Sequence, residues 1–129
     1  MKVLEAVRRN AVTIAPEATI DETAKLMASS GVGAVTIVDD QALVGIVTDR
    51  DIVCRAVARE VPVDARVDSL MSTPVHAIAA DADLHDAYAL FRQHGVRRLP
   101  VLDGAGVVGM ITIDDLPCAI ENYELYAQR

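Results

Sequence analysis

A chain of 129 residues, 52% of them hydrophobic, has the size of one compact domain and ample apolar content for a core. With one Phe, three Tyr and no Trp, that core is aliphatic, and a net charge of −7 provides neither the basic footprint nor the stacking platforms of a nucleic-acid binder. No apolar run reaches the roughly 20 residues of a membrane span, and the opening stretch MKVLEAVRRN is too polar for a signal peptide.

In chain order, a short apolar run at 12–14 reads as a strand. Residues 19–30 follow with Ile20, Ala24, Leu26 and Met27 at helical spacing, and Gly31 stands where a left-handed helix cap belongs. Two β-rich runs come next, at 34–38 and 43–47. A second helix starts at Thr48 and carries Ile52, Val53, Ala56 and Val57. The stretch VPVDAR at 61–66 has linker chemistry. The same order then recurs: a strand at 75–78, a helix at 83–94 with Leu84, Ala87, Leu90 and Phe91, then Gly95. Strands at 98–102 and 107–111 follow, and a last helix runs from Thr112 through Leu116, Ala119 and Ile120.

This recurrence is a repeat. GIVTDRD at 45–51 matches GMITIDD at 109–115, and SGVGAVTIVD at 30–39 matches HGVRRLPVLD at 94–103, both 64 residues apart without a gap. The offset holds from Val3/Val67 to Cys54/Cys118. The chain thus divides into repeat one at 3–60, a linker at 61–66, repeat two at 67–121 and a tail at 122–129. Each repeat is a β-α-β-β-α unit of mixed α/β (α+β) class. A unit of about fifty residues buries too little surface to be secure alone, so the two copies are expected to share a core about a pseudo-twofold axis as one module.

The repeat also resolves a GxGxxG in LDGAGVVGMIT at 102–112, formed by Gly104, Gly106 and Gly109. Such a motif binds a dinucleotide only between a strand and a helix, and here it joins two β-rich runs. Repeat one has DQALVG where repeat two has GAGVVG. Only Gly109 has a counterpart, Gly45, so Gly104 and Gly106 are hairpin-turn residues.

Thr48 with Asp51, and Thr112 with Asp115, place Thr-x-x-Asp at a helix start, and two readings apply. As a capping box, the threonine hydroxyl accepts the aspartate amide and the aspartate interacts back with the helix start. As a ligand site, the helix N-terminus offers free amides to a phosphate, the hydroxyl adds a donor, and the aspartate accepts from two vicinal ribose hydroxyls. Gly45 and Gly109, a strand-length earlier, would let a flat ring approach the backbone.

At these residues the chain resembles the paired cystathionine-β-synthase (CBS) domains, or Bateman module. The resemblance runs from about Val3 to Ile120 and rests on TDRDIV at 48–53, VRRLPVLD at 96–103, GVGAVTIVD at 31–39 and the tandem copies. It implies two three-stranded sheets with helices, and two clefts between the copies that hold adenosyl ligands such as AMP, ADP, ATP or S-adenosylmethionine. It also implies that Asp51 and Asp115 bind ribose hydroxyls and that Thr48 and Thr112 sit at ribose or phosphate. Segments around Thr13, Ile14, Ala34, Val35, Ala77, Ile78, Leu99 and Pro100 would enclose adenine. Repeat two departs by Pro117, the fifth helical residue counted from Thr112, which removes a backbone bond and crowds the Ile113 carbonyl. That points to Asp51 as the better formed site. Repeat one has Thr36 in place of Pro100, and Asn10 in place of Pro74.

The remaining polar residues carry less. Arg8, Arg9, Arg50, Arg97 and Arg98 are candidates for phosphate, or ordinary surface arginines. His76, His85 and His94 match no zinc spacing. Cys54 and Cys118, without an export signal, read as reduced thiols in the cytoplasm. With no nucleophile–base pair and no phosphate-binding loop, the expectation is a cytoplasmic, non-enzymatic module that binds an adenosyl ligand, needs no obligatory cofactor or metal, and signals to an unidentified regulated protein by conformational change. Its apolar second helices, through Ile52, Val57, Leu116 and Ile120, predict a homodimer. Two alternatives are a dimerisation module with degenerate sites and a small Mg-dependent nucleotide hydrolase.

Overall fold

In the structure, a computed structural model describing residues 1–104 and 106–116, the chain opens with a short helix, α1 (Val3–Ala6), and a two-residue strand, β1 (Thr13–Ile14). Helix α2 (Ile20–Ser30) starts on Thr19, whose hydroxyl accepts the Glu22 amide at 3.0 Å. It ends on Gly31 at φ +66°, a conformation costing a residue with a Cβ roughly 1–2 kcal/mol. Strands β2 (Ala34–Asp39) and β3 (Ala42–Thr48) turn across Asp40 and Gln41, both at positive φ, as a tight two-residue hairpin requires. Helix α3 (Asp49–Asp51) then widens into a π-helix over Ile52–Val57.

After a 3-10 turn at Val67–Ser69 the order recurs as β4 (Ile78–Ala79), α4 (Leu84–His94), β5 (Arg98–Asp103), β6 (Gly106–Thr112) and a 3-10 turn at Ile113–Asp115. Asp83 caps α4 by accepting the His85 amide at 2.9 Å, and Gly95 ends it at φ +64°. Gly104 turns the second hairpin at φ +61° and Gly109 lies within β6, so the GxGxxG is a hairpin. The helix expected from Thr112 is, as far as Leu116, only this 3-10 turn; Pro117, Cys118, Ala119 and Ile120 lie outside the described residues.

Two three-stranded sheets result, β1-β2-β3 and β4-β5-β6, each with one parallel and one antiparallel pairing. Their registers are equivalent: Ile37 faces Gly45 as Val101 faces Gly109, and each hairpin bulges just beyond that pair. They differ at one chemical point. Thr36 donates its amide to the Val12 carbonyl at 2.9 Å, whereas its counterpart Pro100 has no amide to give. Accordingly β4 begins one repeat position later than β1.

The compact units are out of phase with the sequence repeats. One is Val12–Val75; the other joins Met1–Ala11 to the chain from His76 onward. The cause is an exchange of first turns. Val3 donates its amide to the Ala82 carbonyl at 2.9 Å and Leu4 to that of Ala80 at 3.0 Å, while the Leu84 amide bonds Met1 at 2.9 Å. At the equivalent positions of the other unit, Val67 donates to Ala18 at 2.7 Å and Ile20 to Ala65 at 3.0 Å. Val3 is therefore buried with Leu84, Phe91, Leu99 and Ile111, and Val67 with Met27, Val35, Ile37 and Val47. Each repeat gives its opening turn to the unit built on the other.

Candidate functional site

Thr48 ends β3 beside Ala34, its partner on β2, and caps α3. Its hydroxyl accepts the Asp51 amide at 3.1 Å while its own amide donates to Asp51 Oδ2 at 2.9 Å. The capping box is thus formed. The other early amides are also engaged, Asp49 with the Gly33 carbonyl at 2.9 Å and Arg50 with Asp49 Oδ1 at 2.8 Å. What this turn presents is the Asp51 carboxylate, not free amides. Its Oδ1 lies 3.7 Å from Arg55 Nε, an ion pair too long for a hydrogen bond. Arg55 is itself held by the Leu70 carbonyl at 3.0 Å and Ser72 Oγ at 3.5 Å. Sequence reasoning missed Arg55, although an acid followed four residues later by a base is a readable helix signal.

The second site is built alike and closed differently. Thr112 donates to Asp115 Oδ2 from its amide at 2.9 Å and its hydroxyl at 3.1 Å, and the Ile113 amide bonds the Arg97 carbonyl at 2.9 Å. Here Arg9 Nη1 reaches both carboxylate oxygens, at 2.8 and 2.7 Å. The Asp115 side chain is 6% exposed against 16% for Asp51. Burial pushes the Asp115 pKa up, but the Thr112 amide and hydroxyl and the Arg9 guanidinium outweigh it and hold the carboxyl below its usual value of 3.8. A depressed folded-state pKa gives stability that is whole above the unfolded value and lost as pH falls through the folded one. In urea titrations between about pH 5 and pH 2, Asp115→Asn is expected to flatten the acid loss of stability seen in the parent.

Gly45 and Gly109, expected to admit a ring, are covered by the chain itself. A Cβ on Gly45 would collide with the Met71 side chain, with Cγ at 2.8 Å. A Cβ on Gly109 would meet Val7 Cγ1 at 2.5 Å and the Arg9 carbonyl at 3.1 Å. The straps are fixed, since Ser72 exchanges both backbone bonds with Ile46 and Met110 donates to the Arg9 carbonyl. Gly109→Ala is therefore expected to cost about 1–3 kcal/mol by urea denaturation, because backbone must move. Gly45→Ala should cost less, because an unbranched methionine can swing aside.

Among the residues expected around adenine, Thr13 and Ile14 lie on the edge strand β1, Thr13 exposed and Ile14 half-buried. Val35 and Leu99 are fully buried core residues, so only their backbone could face a ligand. Ala34, Ile78 and Pro100 are buried, and Ala77 half-buried. A shallow cavity of about 520 Å³ borders Ala77 and Ile78 with Lys2, Asp81, Asp103 and Gly104. It lies at the hairpin end of β5 and β6, and Thr112 and Asp115 stand at the other end. His76 and His94, which match no zinc spacing, stack with ring centroids 3.7 Å apart, a contact that their separation in the chain does not signal. Cys54 is exposed. Among the described residues no three His, Cys, Asp or Glu side chains are grouped to hold a metal, and no helix is long and apolar enough to cross a membrane.

Comparison with known proteins sets this geometry in context. The sequence model of the CBS domain matches residues 3–57 and 67–121. CBS domain-containing protein YhcV of Bacillus subtilis is 36% identical over 114 residues, covering 88% of this chain and 81% of that protein. A CBS domain protein from Pyrobaculum aerophilum, solved in complex with AMP, superposes with a TM-score of 0.83 at 26% identity over 100% of both chains. A CBS-domain containing protein from Agrobacterium tumefaciens gives 0.78 at 26% identity, covering 93% of this chain and 99% of that one.

Proposed function

Because the chain belongs to the CBS-domain family and carries two copies of the domain, we propose that it is a non-enzymatic regulatory module that binds an adenosyl ligand at Asp51. The observation that carries this reading is the Asp51 carboxylate. Oδ2 is steadied by the Thr48 amide while Oδ1 stands 3.7 Å from its arginine, which leaves acceptor capacity for two vicinal ribose hydroxyls. The AMP held by the Pyrobaculum relative supports adenosine as the recognised part, which AMP, ADP, ATP and S-adenosylmethionine share. Thr48 stands on the phosphate side in this reading, and Thr13, Ile14 and Ala34 border the base. A ligand that favours one arrangement of the module shifts its population and so signals to a regulated protein in the cytoplasm. Calorimetric titration of the four ligands tests the proposal: one or more binds the parent and none binds Asp51→Ala.

The same reading includes a homodimer. Val53 and Val57, one helical turn apart, are 59% and 69% exposed and form an apolar face on the helix that follows Asp51. Of the four residues expected at a dimer contact, Val57 is on this face. Ile52 packs against the core, Leu116 is buried at 2% exposure, and Ile120 lies outside the described residues. Light scattering at micromolar concentration is expected to return twice the chain mass of 13.8 kDa, and Val57→Asp to return the single mass.

A further inference from the structure

We infer that Arg9 sets the number of ligands the chain takes at one, by closing the Asp115 position with the protein's own guanidinium. The inference rests on the reading of Asp51 and Asp115 as ribose-binding carboxylates. Both oxygens of Asp115 accept from Arg9 Nη1, and Oδ2 accepts from Thr112 twice more. A diol approaching this carboxylate must displace an ion pair in which one guanidinium nitrogen spans both oxygens, and its hydroxyls bring no positive charge in return. Arg9 is also held in place by its backbone: its carbonyl accepts the Met110 amide at 3.3 Å, and Val7, two residues earlier, covers Gly109.

The other unit has a strap on the corresponding strand, set one residue off the 64-residue offset and without the arginine. Met110 pairs with Arg9 where its counterpart Ile46 pairs with Ser72, and the serine side chain is too short to form such a pair. Among the described residues the nearest cation to Asp51, Arg55, stops at 3.7 Å and is bonded to the Leu70 carbonyl. The strap on β6 thus brings a cation to its carboxylate, and the strap on β3 brings none.

The test is calorimetric titration of the full chain with AMP, read as molecules bound per chain. The parent is expected to bind one, lost in Asp51→Ala. Arg9→Ser is expected to bind two, and Ser72→Arg to weaken binding at Asp51 at least tenfold. Two molecules bound by the parent, or one bound by Arg9→Ser and lost with Asp51→Ala, overturn the inference and leave the adenosyl reading standing. A fall from two to one on Arg9→Ser makes Arg9 a ligand contact and overturns it as well. Absence of AMP binding by both the parent and Arg9→Ser at millimolar concentration brings down the adenosyl reading and this inference with it.

Discussion

A chain lacking residues 1–8 is expected to lose at least about 4 kcal/mol of stability, and the loss to fall on 76–116, not on the repeat those residues begin. Val3 is fully buried among Leu84, Phe91 and Leu99, and removing such a side chain costs about 2 kcal/mol. Ala6 and Val7 leave the same cluster with it. The carbonyls of Ala80 and Ala82 lose their donors and the Leu84 amide loses its acceptor, at about 1 kcal/mol each. Hydrogen exchange locates the damage. Amides of α4 and β5 should exchange faster in the truncated chain, while those of α2 and β2 keep their protection. Faster exchange in α2 and β2 with α4 unchanged would mean that the opening turn stabilises its own repeat.

Adenine nucleotide at 100 times its Kd is expected to stabilise the protein by roughly 2.7 kcal/mol for one site. For a chain of this size that raises Tm by about 10 °C. Asp51→Ala should abolish most of the rise. Because Asp51 also closes the capping box with Thr48, the variant without ligand should lose about 0.5–2 kcal/mol. The two roles separate in one thermal-shift series. A residue that only caps lowers the ligand-free Tm and leaves no ligand shift to lose.

Local signals in the sequence translated well. Gly31 and Gly95 end their helices in the left-handed region and Gly104 turns the second hairpin, because each depends on a few neighbouring residues; Thr19 and Asp83, read as the first helical residues, are the caps one position before α2 and α4. Partners distant in the chain were not legible. Val3 and Val67 were recognisable as equivalents, but periodicity over so short a turn does not say which sheet it covers. Gly45 and Gly109 were read as places where a ring approaches the backbone, and the groups that approach there are Met71 and Val7. Arg9 was one arginine among several, and its bond to Asp115 spans most of the chain. Thr48 and Asp51 form the capping box, and a carboxylate that bonds a helix amide through one oxygen keeps the other for the proposed ligand.

The exchanged opening turns impose an order on synthesis. Residues 12–75 are continuous, so that unit has every piece it needs once Val75 clears the ribosome. The other unit takes in residues 1–11, made before the first unit, and waits for β4, α4 and β5 before Val3 has a core to enter. Its contacts close a loop around an entire intervening unit, the kind of long-range closure that slows folding. During that wait Val3 stays unclaimed on the nascent chain, so the segment before β1 is where crowding or a holding chaperone would act first.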